Sequence, residues 1–378
     1  MSVWHIVTSE YPPDVGGVSD YTRQVAEGLA RMGDEVHVWC PRAAEGPATP
    51  GLHVHPDLGH IGPADLKRFD ERLNAFPAPR RLLVQWVPHG FGYHSMNVWF
   101  CVWLARRARA GDAIELMVHE PYLEFRRGPF RHLAMACVHR LMTMVLLRAS
   151  RKVWMSIPAW EPLLRPYALG RDLPMQWLPV PGCVADASAA HAAAIRLKYS
   201  AHGRPLLGHF GSYGMEVTRL LDTRLAPLME DPLAPSLLLL GSGGERYRDT
   251  LLDRHPSWST RVHAAGYLSA DDLSAHIAAC DLFVQPYPDG ISSRRTSAMA
   301  CLSQARPLVT TKGHLTEALW LEHEAVVLVD LADSTAFARV AVQLLHDRGA
   351  RQRVARRGRL LYQSAFAVDR VISALRAA

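Results

Sequence analysis

The stretch Leu282-Phe283-Val284-Gln285-Pro286-Tyr287-Pro288-Asp289-Gly290-Ile291-Ser292-Ser293-Arg294-Arg295-Thr296-Ser297-Ala298-Met299-Ala300 decides how the chain is read. Its apolar start reads as a buried strand, and residues 296–302 read as the helix that leaves the loop. A polar loop between such a strand and helix sits at the carboxyl edge of an open α/β sheet, where loop amides and helix N-termini converge on ligands. Two adjacent arginines, the hydroxyls of Ser292, Ser293 and Ser297, and Gly290, which lets a ligand approach the backbone beside Ile291, suit an anionic, oxygen-rich ligand such as a sugar diphosphate. A solvated basic loop capping a helix would use the same residues, and both readings stay open on this stretch alone.

The same strand–loop–helix unit recurs on either side. Residues 206–210 read as a strand, Gly211-Ser212-Tyr213-Gly214 as a turn and residues 217–229 as a helix. Residues 236–240 lead into Gly241-Ser242-Gly243-Gly244, and further strands are expected at 261–264, 307–310 and 326–329, joined by helix-length connections. Near the start, residues 3–8 form a strand followed by Tyr11-Pro12-Pro13-Asp14-Val15-Gly16-Gly17, after which Val18, Tyr21, Val25 and Leu29 share one helical face. Ser19 can cap that helix, and Gly16 and Gly17 let backbone amides approach an anion or a sugar at its positive end. The spacing is not the six-residue glycine fingerprint of dinucleotide enzymes.

Gly33 ends the first helix and residues 35–40 alternate as the next strand. Residues 42–81 read as loops with one short helix near 64–74. Residues 82–87 are a strand whose exit, Pro88-His89-Gly90-Phe91-Gly92-Tyr93-His94, combines glycines, aromatic faces and imidazoles, a mixture that suits a carbohydrate pocket and equally a packed loop. Residues 97–110 read as a helix rich in Trp and Phe. Residues 114–118 form a strand ending in His119-Glu120-Pro121-Tyr122, where an imidazole can donate to or accept from a ligand near neutral pH. Residues 130–147 are strongly apolar and helical, but Arg131, His132, His139, Arg140 and Arg148 do not share a face, which predicts a buried helix with ragged polar exits and not a membrane-surface helix.

A chain of 378 residues exceeds the usual span of one core, so two domains are expected. The proline- and glycine-containing stretch 179–203 separates them: residues 1–190, residues 191–360, and a closing helix in 361–378. Hydrophobic residues at 49% and charged residues at 21% exclude disorder as the main theme. The formal net charge of +6 is spread without a basic stripe, which fits acidic small molecules or anionic surfaces and argues against nucleic acid as a partner. Cys40, Cys101, Cys137, Cys183, Cys280 and Cys301 are widely spaced, so most are expected as reduced core residues. The first residues show no leader pattern, and no run reaches the roughly 18 uninterrupted apolar residues of a spanning helix. A cytoplasmic protein is expected, with peripheral association at the inner face of the membrane left open and the oligomeric state unassigned.

Tyr11-Pro12-Pro13 with Gly16-Gly17, His119-Glu120, Gly241-Ser242-Gly243, Gly266-Tyr267-Leu268 with Ala279-Cys280-Asp281-Leu282-Phe283-Val284, and Glu317 together resemble, in this order, glycosyltransferase family 4. The resemblance implies an α/β chain of the GT-B fold, two facing doubly wound parallel-sheet domains with a C-terminal helix crossing back onto the first. It implies a retaining transferase that takes its sugar from a nucleotide diphosphate sugar, uses no metal or other cofactor, and acts on a carbohydrate, lipid-linked or small-molecule acceptor in polysaccharide biosynthesis. The first domain would bind the acceptor and the second the donor.

Two departures accompany it. The family's Glu-x7-Glu element falls on Asp289 and Ser297, and the basic pair that follows the first C-terminal strand is replaced by Gly211-Ser212-Tyr213-Gly214, which leaves Arg294 and Arg295 as substitutes. The resemblance then implies His119, Asp289, Arg294 and Arg295 as catalytic. The donor falls to Gly16, Gly17, Gly211, Ser212, Tyr213, Gly214, Gly241, Ser242, Gly243, Tyr267, Gly290, Ile291, Ser292, Ser293 and Ser297. Tyr21, His89, Phe91 and Glu120 are placed on the acceptor side, and no residue is assigned to a metal. A nucleotide-sugar epimerase on the same fold, or a non-catalytic sugar-nucleotide binder, are the competing readings.

Overall fold

A computed structural model describes residues 1–14, 16–43, 49–125, 129–182, 184–200 and 203–378. Val15 and Cys183 therefore lie outside the described residues. The chain forms two compact units, one made of Met1–Pro179 with Val368–Ala378 and the other of Val180–Ala367.

The first unit holds a seven-stranded sheet of β1 (Val3–Val7), β2 (Glu35–Trp39), β3 (Leu52–His55), β4 (Arg81–Trp86), β5 (Ala113–Val118), β6 (Lys152–Met155) and β7 (Met175–Trp177), in the order β3-β2-β1-β4-β5-β6-β7. The second unit holds a six-stranded sheet of β8 (Leu206–Phe210), β9 (Ser236–Leu240), β10 (Val262–Gly266), β11 (Leu282–Gln285), β12 (Leu308–Lys312) and β13 (Val327–Asp330), in the order β10-β9-β8-β11-β12-β13. Neighbouring strands pair in parallel throughout. Central strands such as Ser-Leu-Leu-Leu-Leu at β9 are buried from end to end, because helices cover both faces of a parallel sheet. Strand order reverses beside β1 in the first sheet and beside β8 in the second, so the exits of β1 and β4, and of β8 and β11, diverge and leave room for ligands.

The domain boundary falls earlier than residue 190. The Val180 amide donates to the Ser293 carbonyl over 3.2 Å, the Gln304 amide nitrogen donates to the Ala185 carbonyl over 2.6 Å, and Gly182 lies against the backbone of Met299. These bonds tie residues 180–190 to the second unit. At the other end, the helix Arg348–Leu361 runs into a wide turn at Tyr362–Phe366, and Phe366 stacks on Trp320 at 5.5 Å. Only Val368–Ala378 returns to the first unit, not the whole of 361–378.

That return is specific. The helix Val368–Arg376 packs on the helix Gly17–Arg31, with Ile372 so close to Gly28 that a side chain there would meet it at 2.7 Å. Arg81 donates to the Leu375 carbonyl at 2.8 Å, and Arg376 pairs with Asp34 at 3.0 Å. Replacing Gly28 with leucine should overpack this crossing and destabilise the first unit by roughly 1–3 kcal/mol. Chemical denaturation of Gly28→Leu and parent is the check, with equal midpoints as the contrary outcome.

Candidate functional site

Residues at the carboxyl ends of β8, β9 and β11 make one cluster in the second unit. Gly241, at φ +103°, passes so close to Gly211 that a Cβ would lie 2.5 Å from its carbonyl oxygen, which brings the two loops together backbone to backbone. Gly211 in turn borders the Ser297 hydroxyl, at 4.0 Å from its would-be Cβ. The Gln285 side chain bridges β11 to β8, accepting from the Phe210 amide at 3.1 Å and donating to the Phe210 carbonyl at 2.6 Å. Ser212, Gly214 and Ser242 are exposed at these exits, and Gly243, at φ +89°, starts the helix Gly244–Arg254.

The loop after β11 is anchored from below. Gly290, at φ +86°, lies against Gly313 with no room for a side chain, since a Cβ would meet the Gly313 nitrogen at 2.2 Å. The Leu315 amide donates to the Asp289 carbonyl at 3.0 Å and the Ile291 amide to the Thr311 carbonyl at 2.9 Å. Glu317 accepts from the Ser293 amide at 2.9 Å and from the Trp320 indole at 2.7 Å; burial raises its pKa against these bonds.

What this anchoring presents is a charged triad. Arg294 and Arg295 both donate to one Asp289 oxygen, at 2.9 and 2.8 Å, and the Arg295 guanidinium lies over the Tyr287 ring at 4.8 Å. One carboxylate thus aligns both arginines, leaving a net positive charge. The Tyr287 hydroxyl bonds the Ser297 hydroxyl at 2.8 Å, beside the start of the helix Thr296–Ser303.

Four assigned donor residues are turned inward instead. Ile291 and Ser293 are fully buried, the first as core and the second as the Glu317 tether. The Tyr213 hydroxyl donates to the Leu240 carbonyl at 3.1 Å. Ser292 is also fully buried, and its hydroxyl finds no hydrogen-bond partner among the described residues. Tyr267, after edge strand β10, is 71% exposed.

In the first unit His119 directly follows β5. Its Nε2 lies 2.9 Å from Gln85 Oε1 on β4, its carbonyl accepts from Ser156 and the Trp160 indole, and Tyr21 packs edge-on at 4.9 Å. Burial pushes the imidazole pKa down to about 3, so it is neutral and, with Nε2–H given to Gln85, offers Nδ1 as an acceptor. The Tyr21 hydroxyl and the Gln85 amide nitrogen are buried here without a partner among the described residues, an arrangement that suits an incoming hydroxyl or water. Glu120 is half-buried next to it. Gly16 and Gly17 do not present an open anion site: the Glu10 carboxylate already covers this helix end, accepting from the Ser19 amide at 3.0 Å, and a Cβ on Gly16 would lie 2.6 Å from it.

The loop after β4 lines a cavity of about 540 Å³ with Pro41, Gly59, His60, Ile61, Gly90, Gly92, Tyr93 and His94. Ile61, Tyr93, His94 and Ser95 all hold positive φ, a concentration of backbone strain that marks functional loops. His89 is exposed and bonds Ser95. Phe91 is a correction: it is fully buried between Trp86 and Phe100, as core and not as a sugar platform.

Two sequence models cover more than half of the chain, one described as Glycosyltransferase Family 4 over residues 15–155 and one as Glycosyl transferases group 1 over residues 204–347. The chain belongs to glycosyltransferase family 4. A curated family relative, the lipopolysaccharide core biosynthesis glycosyltransferase LpsE of Rhizobium meliloti, is 33% identical over 125 residues, 32% of this chain and only 35% of that protein. Solved structures with the same fold include sucrose-phosphate synthase of Thermosynechococcus elongatus (TM-score 0.73, 17% identity, 100% of this chain and 97% of that one). Anabaena HepE in complex with UDP follows (0.69, 16%, 100% and 99%), and WaaG, a glycosyltransferase involved in lipopolysaccharide biosynthesis (0.69, 14%, 99% and 99%). The two parallel sheets are those of the GT-B fold.

Against the family frame, Gln85, Thr311 and the cavity residues Gly59, His60 and Ile61 carried no sequence signal that separated them from strand or loop. Among the described residues no group of three His, Cys, Asp or Glu side chains is placed to hold a metal ion.

Alanine at Gly290 should cost roughly 1–3 kcal/mol in backbone strain alone, and more from the Gly313 collision. Denaturant midpoints that match the parent would contradict that packing. Acid should act through His119. Its folded pKa of about 3 lies below the ordinary 6.5, so between these values the unfolded chain binds the extra proton; this contribution is complete above pH 6.5 and falls as the pH drops. The loss at pH 5 relative to pH 7 is roughly 2 kcal/mol for this residue. His209, held near 4 by burial, adds to it. Denaturation at the two pH values, compared with His119→Asn, isolates the His119 share.

Proposed function

We propose that the chain is a retaining glycosyltransferase that moves a sugar from a nucleotide diphosphate sugar to a glycan, lipid-linked or small-molecule acceptor, in the cytoplasm. The observation that carries this reading is the pair of guanidinium groups fixed on Asp289 at the carboxyl end of β11, beside a helix N-terminus. UDP and UDP-glucose in the HepE structures support a nucleotide-sugar donor, and the named roles of LpsE and WaaG support an acceptor of lipopolysaccharide type.

Cleavage of a glycosyl phosphate bond leaves negative charge on the departing diphosphate, and preorganised cations lower that barrier most. Arg294 and Arg295 supply them without a metal, already aligned by Asp289, so little rotamer freedom is lost when the diphosphate arrives. The departing phosphate oxygen takes the acceptor's proton, which removes the need for a protein base. Ser297, in the place of the family's second acid, gives the ribose one hydroxyl through its bond to Tyr287. In the first unit neutral His119 takes a sugar hydroxyl at Nδ1, and the 540 Å³ cavity takes the acceptor.

Calorimetric titration with nucleotide diphosphates tests the carrying observation. Arg294→Ala/Arg295→Ala should bind about one to two orders of magnitude more weakly, from charge-assisted bonds worth roughly 1.5–3 kcal/mol. Lysine at the same positions should restore part of it. Binding as tight as the parent's would remove the loop from the phosphate site. Mass spectrometry of products formed from a nucleotide-sugar panel and cell extract decides the reaction: a glycosylated acceptor supports transfer, whereas an altered nucleotide sugar without acceptor assigns an epimerase.

A further inference from the structure

Two helices of the first unit, Val98–Arg109 and Phe130–Ala149, pack side by side, and neither contains an aspartate or a glutamate. Along the longer helix Phe130, Leu133, Cys137, Leu141, Met144 and Arg148 follow one another at three or four residues and so share a face. That face is uncovered in the structure: Phe130 is 83% exposed, and Leu133 and Leu141 are each 45% exposed. The opposite face is buried through Ala136, His139, Met142, Thr143, Leu146 and Leu147. Phe125 and Trp99, on the adjoining segments, add two more exposed aromatics. The expectation of a buried helix is therefore half right, since one side is core and the other is an apolar stripe.

Cations frame the stripe. Arg131 and Arg148 are exposed on the same helix, Arg106 and Arg109 on its neighbour, and Arg140 lies over the Phe125 ring at 3.6 Å. We propose that this face docks the protein on an anionic lipid surface. Protruding aromatic and aliphatic side chains enter the boundary between headgroups and acyl chains, and guanidinium groups meet lipid phosphates. Length and composition would let Phe130–Ala149 cross a membrane, but half its circumference is committed to the fold, so it lies on the surface. A second copy of the chain fits less well, because two such faces would bring arginines together with no carboxylate from either helix to offset them. The proposal rests on exposure and charge, independently of the sugar-transfer reading; combined with it, docking favours a lipid-linked acceptor.

Co-sedimentation of the full chain with vesicles tests it, using phosphatidylcholine alone and phosphatidylcholine mixed with phosphatidylglycerol. The parent should partition onto the anionic vesicles, and less so at high salt. Phe130→Ser/Leu133→Ser and Arg131→Gln/Arg148→Gln change only exposed positions and should keep the parent's unfolding midpoint while each lowers partitioning about tenfold. The arginine pair should also lose part of the salt dependence. A parent that stays in the supernatant with anionic vesicles overturns the proposal, as do variants that bind like the parent. A lipid-free dimer, seen by sedimentation velocity and broken by Phe130→Ser/Leu133→Ser, would give the face to a second copy instead.

Discussion

Parallel pairing is the constraint from which the rest follows. A parallel ladder cannot be closed by a hairpin, so each strand must be followed by a crossover that returns the chain to the same starting edge. Every strand of a sheet then ends at one edge, and the crossovers begin there. In the second unit this places Gly211, Gly241 and the loop from Gln285 to Thr296 next to one another, although they are far apart in sequence. In the first it places His119, just past the end of β5, against Gln85 of the adjacent strand β4.

Within that frame the second unit concentrates charge by buried anchoring. A loop with two adjacent arginines would ordinarily sample many rotamers and hold them apart by repulsion. Here Asp289 accepts from both, while the Gly290–Gly313 contact and the Ser293–Glu317 bonds fix the backbone on either side. Asp289 is thus the holder of both cations. The first unit treats charge in the opposite way: Glu10 already fills the helix end after β1, and His119 is kept neutral by burial.

The sequence showed most of the architecture because buried parallel strands are short, continuous apolar runs that are hard to mistake; β8, β9 and β11 fall on the expected residues. β3, β6 and β7 were not legible. His53 and His55 break the apolar run of β3, Lys152–Met155 follows a helix almost directly, and Met175–Trp177 is only three residues long. At the site, the adjacent arginines and the glycines after β8 and β9 stood out as a pattern, although a solvated helix-capping loop would use the same residues. Gly16 and Gly17 misled because the Glu10 carboxylate that covers them leaves no local trace. Phe91 misled because an aromatic ring between glycines suits a sugar or a core equally, and only its neighbours Trp86 and Phe100 decide. Ser293 misled for a similar reason, since a serine's partner, here Glu317 from a distant loop, leaves no local trace.

The return of Val368–Arg376 makes the first unit a discontinuous domain whose two pieces come before and after the second along the chain. On a ribosome, Val180–Ala367 emerges as one uninterrupted segment and can complete its own sheet as it appears. The first unit, although it begins earlier, lacks the helix that covers Gly28 and the carbonyl that Arg81 bonds until residues 368–378 have been made. Order of synthesis and order of completion are therefore reversed: the domain started first is finished last, and its helix Gly17–Arg31 keeps an apolar side open throughout the making of its neighbour.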